Sequence, residues 1–233
     1  MPIKNYEGKI KNIIEQTNSV KLFTIELEET FQFKAGQFIN LAFQIEDNNY
    51  MKPYSIASMP KNNNKELKLS IKLVPEGRVT PKLWTKKIGD KISLKGPFGL
   101  FQIRNKQEKL AFIGTGTGIA PLRSMIFDLL INKKINKEIV LIFGVRYENE
   151  ILFDEEFTKL MNSNPNFKYI KIISRPTENW IGRKGHVQDN FDFLDVNNSE
   201  FYICGLPLMF EEVHKKLLDM GALKENIYHE VFR

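Results

Sequence analysis

Leu110-Ala-Phe-Ile-Gly-Thr-Gly-Thr-Gly-Ile-Ala-Pro-Leu-Arg-Ser-Met125 passes from an apolar run through a glycine loop into a helical pattern. Leu110 to Ile113 has the composition of a buried strand. Gly114, Gly116 and Gly118 follow, and from Pro121 the positions Leu122, Met125, Ile126, Leu129 and Leu130 recur at helical spacing. Strand, glycine loop and helix in that order present backbone N–H groups and a helix N-terminus to a phosphate. The common dinucleotide fingerprint, G-x-G-x-x-G with an acid about 20 residues on, is not met. These glycines are spaced by two, and the next strand, Glu138 to Phe143, runs into Gly144-Val145-Arg146, a cation where the ribose-binding acid belongs. The loop is either a phosphate cradle of another α/β class or a tight turn with no ligand.

The whole chain has 233 residues, room for one large domain or two of ordinary size. With 42% hydrophobic and 27% charged residues it can build real cores. No apolar run approaches the ~18 residues of a membrane span, and Met1-Pro-Ile-Lys-Asn-Tyr-Glu7 has no apolar secretory segment. A cytoplasmic protein with no membrane partner is therefore expected. Cys204 is the single cysteine, which excludes an internal disulfide and a cluster or structural metal built on thiolates. Net charge is +6, and residues 1–105 hold 17 Lys and Arg against 10 Asp and Glu, residues 106–233 17 against 18. The basic excess thus lies in the first half, as an acidic partner or a polyphosphate ligand would require. Nucleic acid is the rival partner, but no helix-turn-helix, zinc finger or RNA-binding aromatic motif is present. Stretches such as Lys61-Asn-Asn-Asn-Lys65 read as a solvated surface.

Residues 8–105 alternate short apolar runs with turn signals. Val20–Leu27, Phe38–Phe43, Leu67–Val74 and Lys91–Leu94 read as strands, with one helical piece from Thr80 to Lys87. Strands at this spacing argue a barrel or sandwich. In Met51-Lys-Pro-Tyr-Ser-Ile-Ala-Ser58, Pro53 stiffens the chain, so Lys52, Tyr54 and Ser55 offer a cation, an aromatic face and a hydroxyl to a flat phosphorylated ligand. An edge strand with an exposed aromatic is the alternative. In Pro75-Glu-Gly-Arg-Val-Thr-Pro-Lys-Leu-Trp84 a Gly turn precedes a helix start that Thr80 is placed to cap, with Pro81 in its first turn.

Beyond the glycine loop, apolar runs at Glu138–Phe143, Phe167–Ile173 and Phe201–Cys204 alternate with helical patterns, the mark of βαβ units. Arg146, Arg175, Arg183 and Lys184 follow successive strands, where open α/β sheets bind ligands and where an arginine can take the 2′-phosphate of NADP. That favours NADPH over NADH. A cysteine-nucleophile reading of Cys204 needs an activating His, and His186, His214 and His229 sit in no recognisable signature.

Lys52-Pro-Tyr-Ser55, Gly77-Arg-Val-Thr80, Gly96-Pro-Phe-Gly99 and Gly114-Thr-Gly-Thr-Gly-Ile-Ala-Pro121 stand in the order found in the ferredoxin–NADP reductase superfamily, and the resemblance covers nearly the full chain. It implies two domains, an N-terminal antiparallel FAD-binding β-barrel (residues 1–105) and a C-terminal α/β domain with a parallel NADP-binding sheet (106–233). By that resemblance Tyr54 stacks on the isoalloxazine and Ser55 hydrogen-bonds near its N5. Lys52, Pro53, Ile71, Lys72, Leu73 and Thr117 would also line FAD, and Gly77, Arg78, Val79 and Thr80 would cradle its pyrophosphate. Gly114, Thr115, Gly116, Gly118, Arg146, Ser174, Arg175, Arg183, Cys204, Gly205 and Met209 would hold NADP(H). Cys204 would position the nicotinamide, Glu230 would assist transfer, and Phe232 would cover the flavin, with Arg233 following it. The family motif begins with Arg where this chain has Lys52, which supplies charge without the planar fork.

The expected function is hydride transfer between NADP(H) and FAD, with single electrons exchanged with an acidic ferredoxin or flavodoxin docked near the basic N-terminal domain of a monomer. The alternatives are an NADH-dependent reductase of an oxygenase, haem protein or free flavin, and a non-catalytic electron-transfer or flavin-sensing subunit of a larger complex.

Overall fold

Period-two alternation in the first half builds β1 (Lys4–Thr17), β2 (Val20–Leu27), β3 (Phe38–Ile45), β4 (Asn48–Ser55), β5 (Glu66–Lys72) and β6 (Lys91–Phe98). They form one antiparallel sheet in the order β4-β3-β6-β1-β2-β5 in a computed structural model that describes residues 2–232. Met1 and Arg233, including the residue after Phe232, lie outside the described residues. The sheet curls until Ile56, just past β4, makes an antiparallel bridge to Leu69 of β5, joining its two edges. Ile10, Phe23, Ile25, Leu41, Leu69 and Leu94 fill the interior with almost no exposure. Each such side chain stabilises the fold by about 1.5–3 kcal/mol relative to leaving it in water.

β1 is not among the strands read from the sequence, because its outward positions carry Lys, Glu and Asn rather than a clean apolar repeat. It pairs with β6 over Lys4–Lys9 and with β2 over Gly8–Thr17, with register shifts after Ile10 and Glu15. Such shifts bend a strand. The helical piece is shorter than expected: α1 covers Thr80–Trp84, and its buried Leu83 joins the barrel core with Val79.

The second half alternates strand and helix as read. β7 (Lys109–Thr115), β8 (Glu138–Val145), β9 (Phe167–Ile173), β10 (Arg183–Lys184), β11 (Ser199–Gly205) and β12 (Ile227–Val231) pair in parallel in the order β10-β9-β8-β7-β11-β12. The main helices are α2 (Ile119–Phe127), α3 (Asp154–Ser163) and α4 (Pro207–Asp219), and α2 widens into a π-helical turn over Asp128–Asn132. Strand order reverses at β7, with β8 on one side and β11 on the other. That switch point is where open α/β sheets form a ligand crevice at their carboxyl ends.

The chain divides into two compact units: Met1–Ile103 with Arg123–Asp128, and Arg104–Leu122 with Leu129–Arg233. The second half of α2 therefore belongs with the barrel. No helix among the described residues is long and apolar enough to cross a membrane.

Candidate active site

In the barrel unit, β4 lies at a sheet edge and pairs with β3 in the register Ser55↔Phe38, Tyr54↔Ile39, Pro53↔Asn40 and Lys52↔Leu41. An edge tolerates Pro53, which has no N–H to donate. Strand alternation puts Tyr50, Lys52 and Tyr54 on one face. Tyr54 is half-buried against the barrel core, and burial pushes its hydroxyl up to about 12, so it stays neutral. Ser55 is buried and Lys52 exposed. Arg78 donates from Nη1 to the Tyr50 hydroxyl at 3.3 Å, bringing a second cation to this face. Tyr50 escaped notice in the sequence, although its spacing of two and four from Lys52 and Tyr54 was visible.

Ile71 and Lys72 end β5, with Ile71 buried in the core and Lys72 exposed; the Leu73 N–H bonds to the Ser19 carbonyl at 2.8 Å. The turn beyond closes on itself. Gly77 N–H donates to the Val74 carbonyl at 2.8 Å, and the Thr80 hydroxyl accepts from Val74 N–H at 3.0 Å and donates to its carbonyl at 3.1 Å. This corrects the expected cap: Thr80 makes no side-chain bond to the helix, whose N-cap is Val79, because its hydroxyl is spent on the turn. A Cβ on Gly77 would stand 3.0 Å from the Val74 carbonyl oxygen and 3.2 Å from Thr80 Oγ1. The turn thus leaves a tight backbone cradle at a glycine, which fits a pyrophosphate. With the neutral aromatic face of Tyr54 and the cations Lys52 and Arg78, the residues present suit FAD.

In the second unit, the glycine loop is a 3₁₀ turn over Gly116–Gly118, and Gly116 takes the left-handed φ of +53° that favours glycine. Thr117 is half-buried within it. A Cβ on Gly118 would come within 2.2 Å of the Cys204 carbonyl oxygen, and one on Gly205 within 2.3 Å of Met209 Cε and 2.6 Å of Thr115 Oγ1. Thr115, Gly118, Cys204, Gly205 and Met209 are therefore gathered at the β7–β11 switch point, where Cys204 pairs with Gly114. The C-terminal strand reaches the same place: Glu230 pairs with Cys204, Val231 with Gly205, and Phe232 N–H donates to the Gly205 carbonyl at 3.0 Å. Burial, reinforced by the charge of Glu230, pushes the Cys204 thiol well above its ordinary value. It is no thiolate nucleophile.

The arginines divide into two groups. Arg175 N–H donates to the Arg146 carbonyl at 2.8 Å, so both stand side by side past the ends of β8 and β9, next to Ser174. Arg175 Nη1 reaches the Tyr147 hydroxyl at 3.4 Å. Close by, the Glu148 carboxylate accepts from Thr177 N–H and its hydroxyl, both at 2.8 Å. Its own backbone N–H and those Thr177 donors hold it below the usual carboxylate range. Arg183 is differently placed. On edge strand β10, opposite Ile172, it forms a two-pronged pair with Asp192, with one contact at 3.1 Å, and lies 4.8 Å over the Phe193 ring. Glu148 and Tyr147 had no motif to mark them.

Two domain families match the chain: the Oxidoreductase FAD-binding domain over residues 7–103 and the Oxidoreductase NAD-binding domain over 112–215. One component of the Na+-translocating NADH-quinone reductase of Pseudomonas aeruginosa is 34% identical over 202 residues, which are 80% of this chain and 49% of that protein. Its counterpart in Klebsiella pneumoniae is 34% identical over 199 residues, 78% and 49%. The chain spans about half the length of these curated relatives. A ferredoxin NADP+ reductase from Neisseria gonorrhoeae with bound FAD and NADP superposes with a TM-score of 0.87 at 25% identity over 98% of both chains. The cytochrome P450 reductase GcoB of Amycolatopsis shares the fold, with a TM-score of 0.91 at 23% identity over 99% of this chain and 70% of that one.

Those relatives correct two expectations. They are components of an assembly that translocates Na+, which takes place across a membrane. A monomer with no membrane partner that docks an acidic ferredoxin or flavodoxin, and a cytoplasmic location, are therefore withdrawn; a surplus of surface lysines does not name a partner. What stands is the two-domain flavoprotein architecture with its FAD-binding and nicotinamide-binding parts. The chain belongs to the ferredoxin–NADP reductase superfamily of FAD- and nicotinamide-dependent oxidoreductases.

Proposed function

We propose that this protein takes hydride from NADPH onto FAD and passes the electrons to an acceptor carried by a partner component of an electron-transfer assembly. The observation that carries this reading is the gathering of Thr115, Gly118, Cys204, Gly205 and Met209 with Glu230 and Phe232 at one switch point of the parallel sheet. Bound FAD supplies the chemistry, accepting two electrons as hydride and releasing them one at a time. The chain's part is alignment and exclusion of water. The glycines at 118 and 205 let the loop after β7, the end of β11, Thr115 and Met209 close directly on one another at this junction. The Cys204 thiol stays neutral beside it, and the Glu230 carboxylate stands one strand away in register. On the barrel, Tyr54 offers a neutral aromatic face, Ser55 a hydroxyl, and Gly77 to Thr80 the pyrophosphate cradle.

The backbone pairing of Arg146 and Arg175 supports NADPH, since it brings two arginines together past the ends of β8 and β9, where an arginine suits a 2′-phosphate. NADH is the second reading, favoured by the commitment of Arg183 to Asp192 and by the NADH named in the relatives. A partner-borne acceptor is supported by those relatives being parts of a larger assembly. The test is anaerobic titration of the FAD-loaded protein with NADPH and then NADH, following the flavin's visible absorption. Bleaching by NADPH at lower concentration than by NADH is expected. A protein that retains no flavin, or whose flavin neither coenzyme bleaches, overturns the reading.

A further inference from the structure

We propose that Arg123 and Ser124 of α2 are positioning residues for the flavin-facing strand, holding the backbone at Ala57 and Ser58 just beyond Tyr54 and Ser55. The inference rests on the flavin reading above. α2 is otherwise apolar: Ile119, Ala120, Leu122, Met125 and Ile126 are all buried. A guanidinium and a hydroxyl among them, 6% and 0% exposed, are costly unless paired. Arg123 Nη1 donates to the Ala57 carbonyl at 2.6 Å, and Ser124 Oγ donates to the Ser58 carbonyl at 2.7 Å. Two adjacent donors on the helix thus meet two adjacent carbonyls on the barrel.

Those carbonyls sit where regular pairing runs out. β4 ends at Ser55; beyond it Ile56 makes an isolated bridge to Leu69 and donates its N–H to the Gln37 carbonyl at 3.0 Å, and Ala57 N–H donates to the Lys68 carbonyl at 2.8 Å. Buried backbone carbonyls need partners, and the helix supplies them. The Arg123 guanidinium is itself held in plane by Phe127, one turn on, 4.3 Å from the ring centroid. Met125 fixes the same part of the helix from another side: a Cβ on Gly36, whose φ is +92°, would lie 2.2 Å from Met125 Cε. The second half of α2 is therefore tied, within the barrel unit, to the segment that carries Tyr54 and Ser55. An all-apolar helix would leave both carbonyls without these donors. Their presence points to the placing of that strand rather than to core burial alone.

The test uses the full chain as wild type, S124A, R123K and R123A. In flavin-free protein, amide hydrogen exchange over residues 52–60 is expected to speed up about tenfold or more in S124A and R123A, with unchanged exchange across β8 reporting an intact fold. R123K, which keeps one charged donor, should fall between. In FAD-loaded protein the limiting rate of flavin reduction should drop about tenfold while half-saturation by NADPH moves less than about twofold. Unchanged exchange in S124A and R123K overturns the tether, and this holds even if R123A does not fold. Faster exchange with an unchanged limiting rate overturns the positioning role. A wild type that no nicotinamide reduces defeats the functional reading, and the exchange result alone then decides the tether.

Discussion

The α-carbon of Gly118 faces the carbonyl oxygen of Cys204 so closely that an added Cβ would lie 2.2 Å from it. The contact joins the glycine loop after β7 to the carboxyl end of β11. The obstructing atom is backbone, pinned by the ladder from Ser199 to Cys204 with β7, so it cannot swing aside as a side chain would.

Gly118→Ala should therefore lower stability by about 1–3 kcal/mol, the usual cost of forcing a methyl group into a packed site. Nicotinamide binding should suffer more than folding, because the loop must move off β11. Urea unfolding and coenzyme titration of the same variant separate the two. Gly116→Ala meets no neighbour within 4 Å and is strained only by its positive φ. It should cost about 1 kcal/mol and leave the β11 contact intact.

Alkaline pH should weaken the fold through Cys204. Burial raises its folded pKa above the unfolded value. The protonated thiol's contribution is thus fully present below the unfolded thiol pKa of about 8.5 and is lost as pH rises through the folded one. The urea midpoint of wild type should fall as pH rises from about 8 to about 10, the range that brackets the unfolded thiol, and Cys204→Ala should make that fall shallower. Tyr54, raised to about 12 by burial, acts in the same direction at higher pH. Native protein should react with iodoacetamide far more slowly than urea-unfolded protein.

How much of this was legible beforehand follows from how each residue is held. The glycine loop, the parallel strands and Cys204-Gly205 are local patterns, and their apolar runs and turn residues survive folding unchanged. The barrel was readable as strands but not as closed, since the Ile56–Leu69 bridge and the bends in β1 depend on pairing across the sheet. Arg183 looked equivalent to Arg146 and Arg175 because all three follow strands. Its tie to Asp192 is a tertiary choice that spacing does not encode. Thr80 failed as a cap for a similar reason: Val74 competes for its hydroxyl.

That division of the arginines makes a coenzyme prediction. Arg175→Ala should lower kcat/KM for NADPH about tenfold, the scale of one lost charge-assisted contact, and move NADH less than about twofold. Arg146→Ala should act in the same direction. Arg183→Ala should shift both coenzymes together or neither, since its guanidinium is bound to Asp192. Equal sensitivity of NADPH and NADH to Arg175→Ala would favour the NADH reading.

Glu200 carries the last prediction. It is wholly buried at the start of β11, opposite Leu110, at the other end of the strand from the Cys204–Gly114 pair. Its carboxylate accepts from the backbone N–H groups of Asn105 (3.0 Å) and Lys106 and from the Tyr202 hydroxyl, which in turn accepts the Arg104 N–H at 2.8 Å. Lys137 holds the Gln107 carbonyl at 2.7 Å from the other side. Three successive backbone N–H groups entering the second unit are thus satisfied by one Glu–Tyr pair. Glu200→Ala removes the charged acceptor of two of them and should cost about 3 kcal/mol, whereas Tyr202→Phe, which leaves the carboxylate in place, should cost about 1 kcal/mol. Glu200→Gln keeps one acceptor and should fall between. Because Glu200 and the segment it holds lie at the amino end of β11, away from the Cys204–Gly114 pair, coenzyme affinity of the folded fraction should stay within about twofold of wild type, a loss of under about 0.5 kcal/mol. Denaturant midpoints read beside coenzyme titrations decide it: a large loss of affinity with unchanged stability would show that the segment 104–106 serves the site rather than the fold.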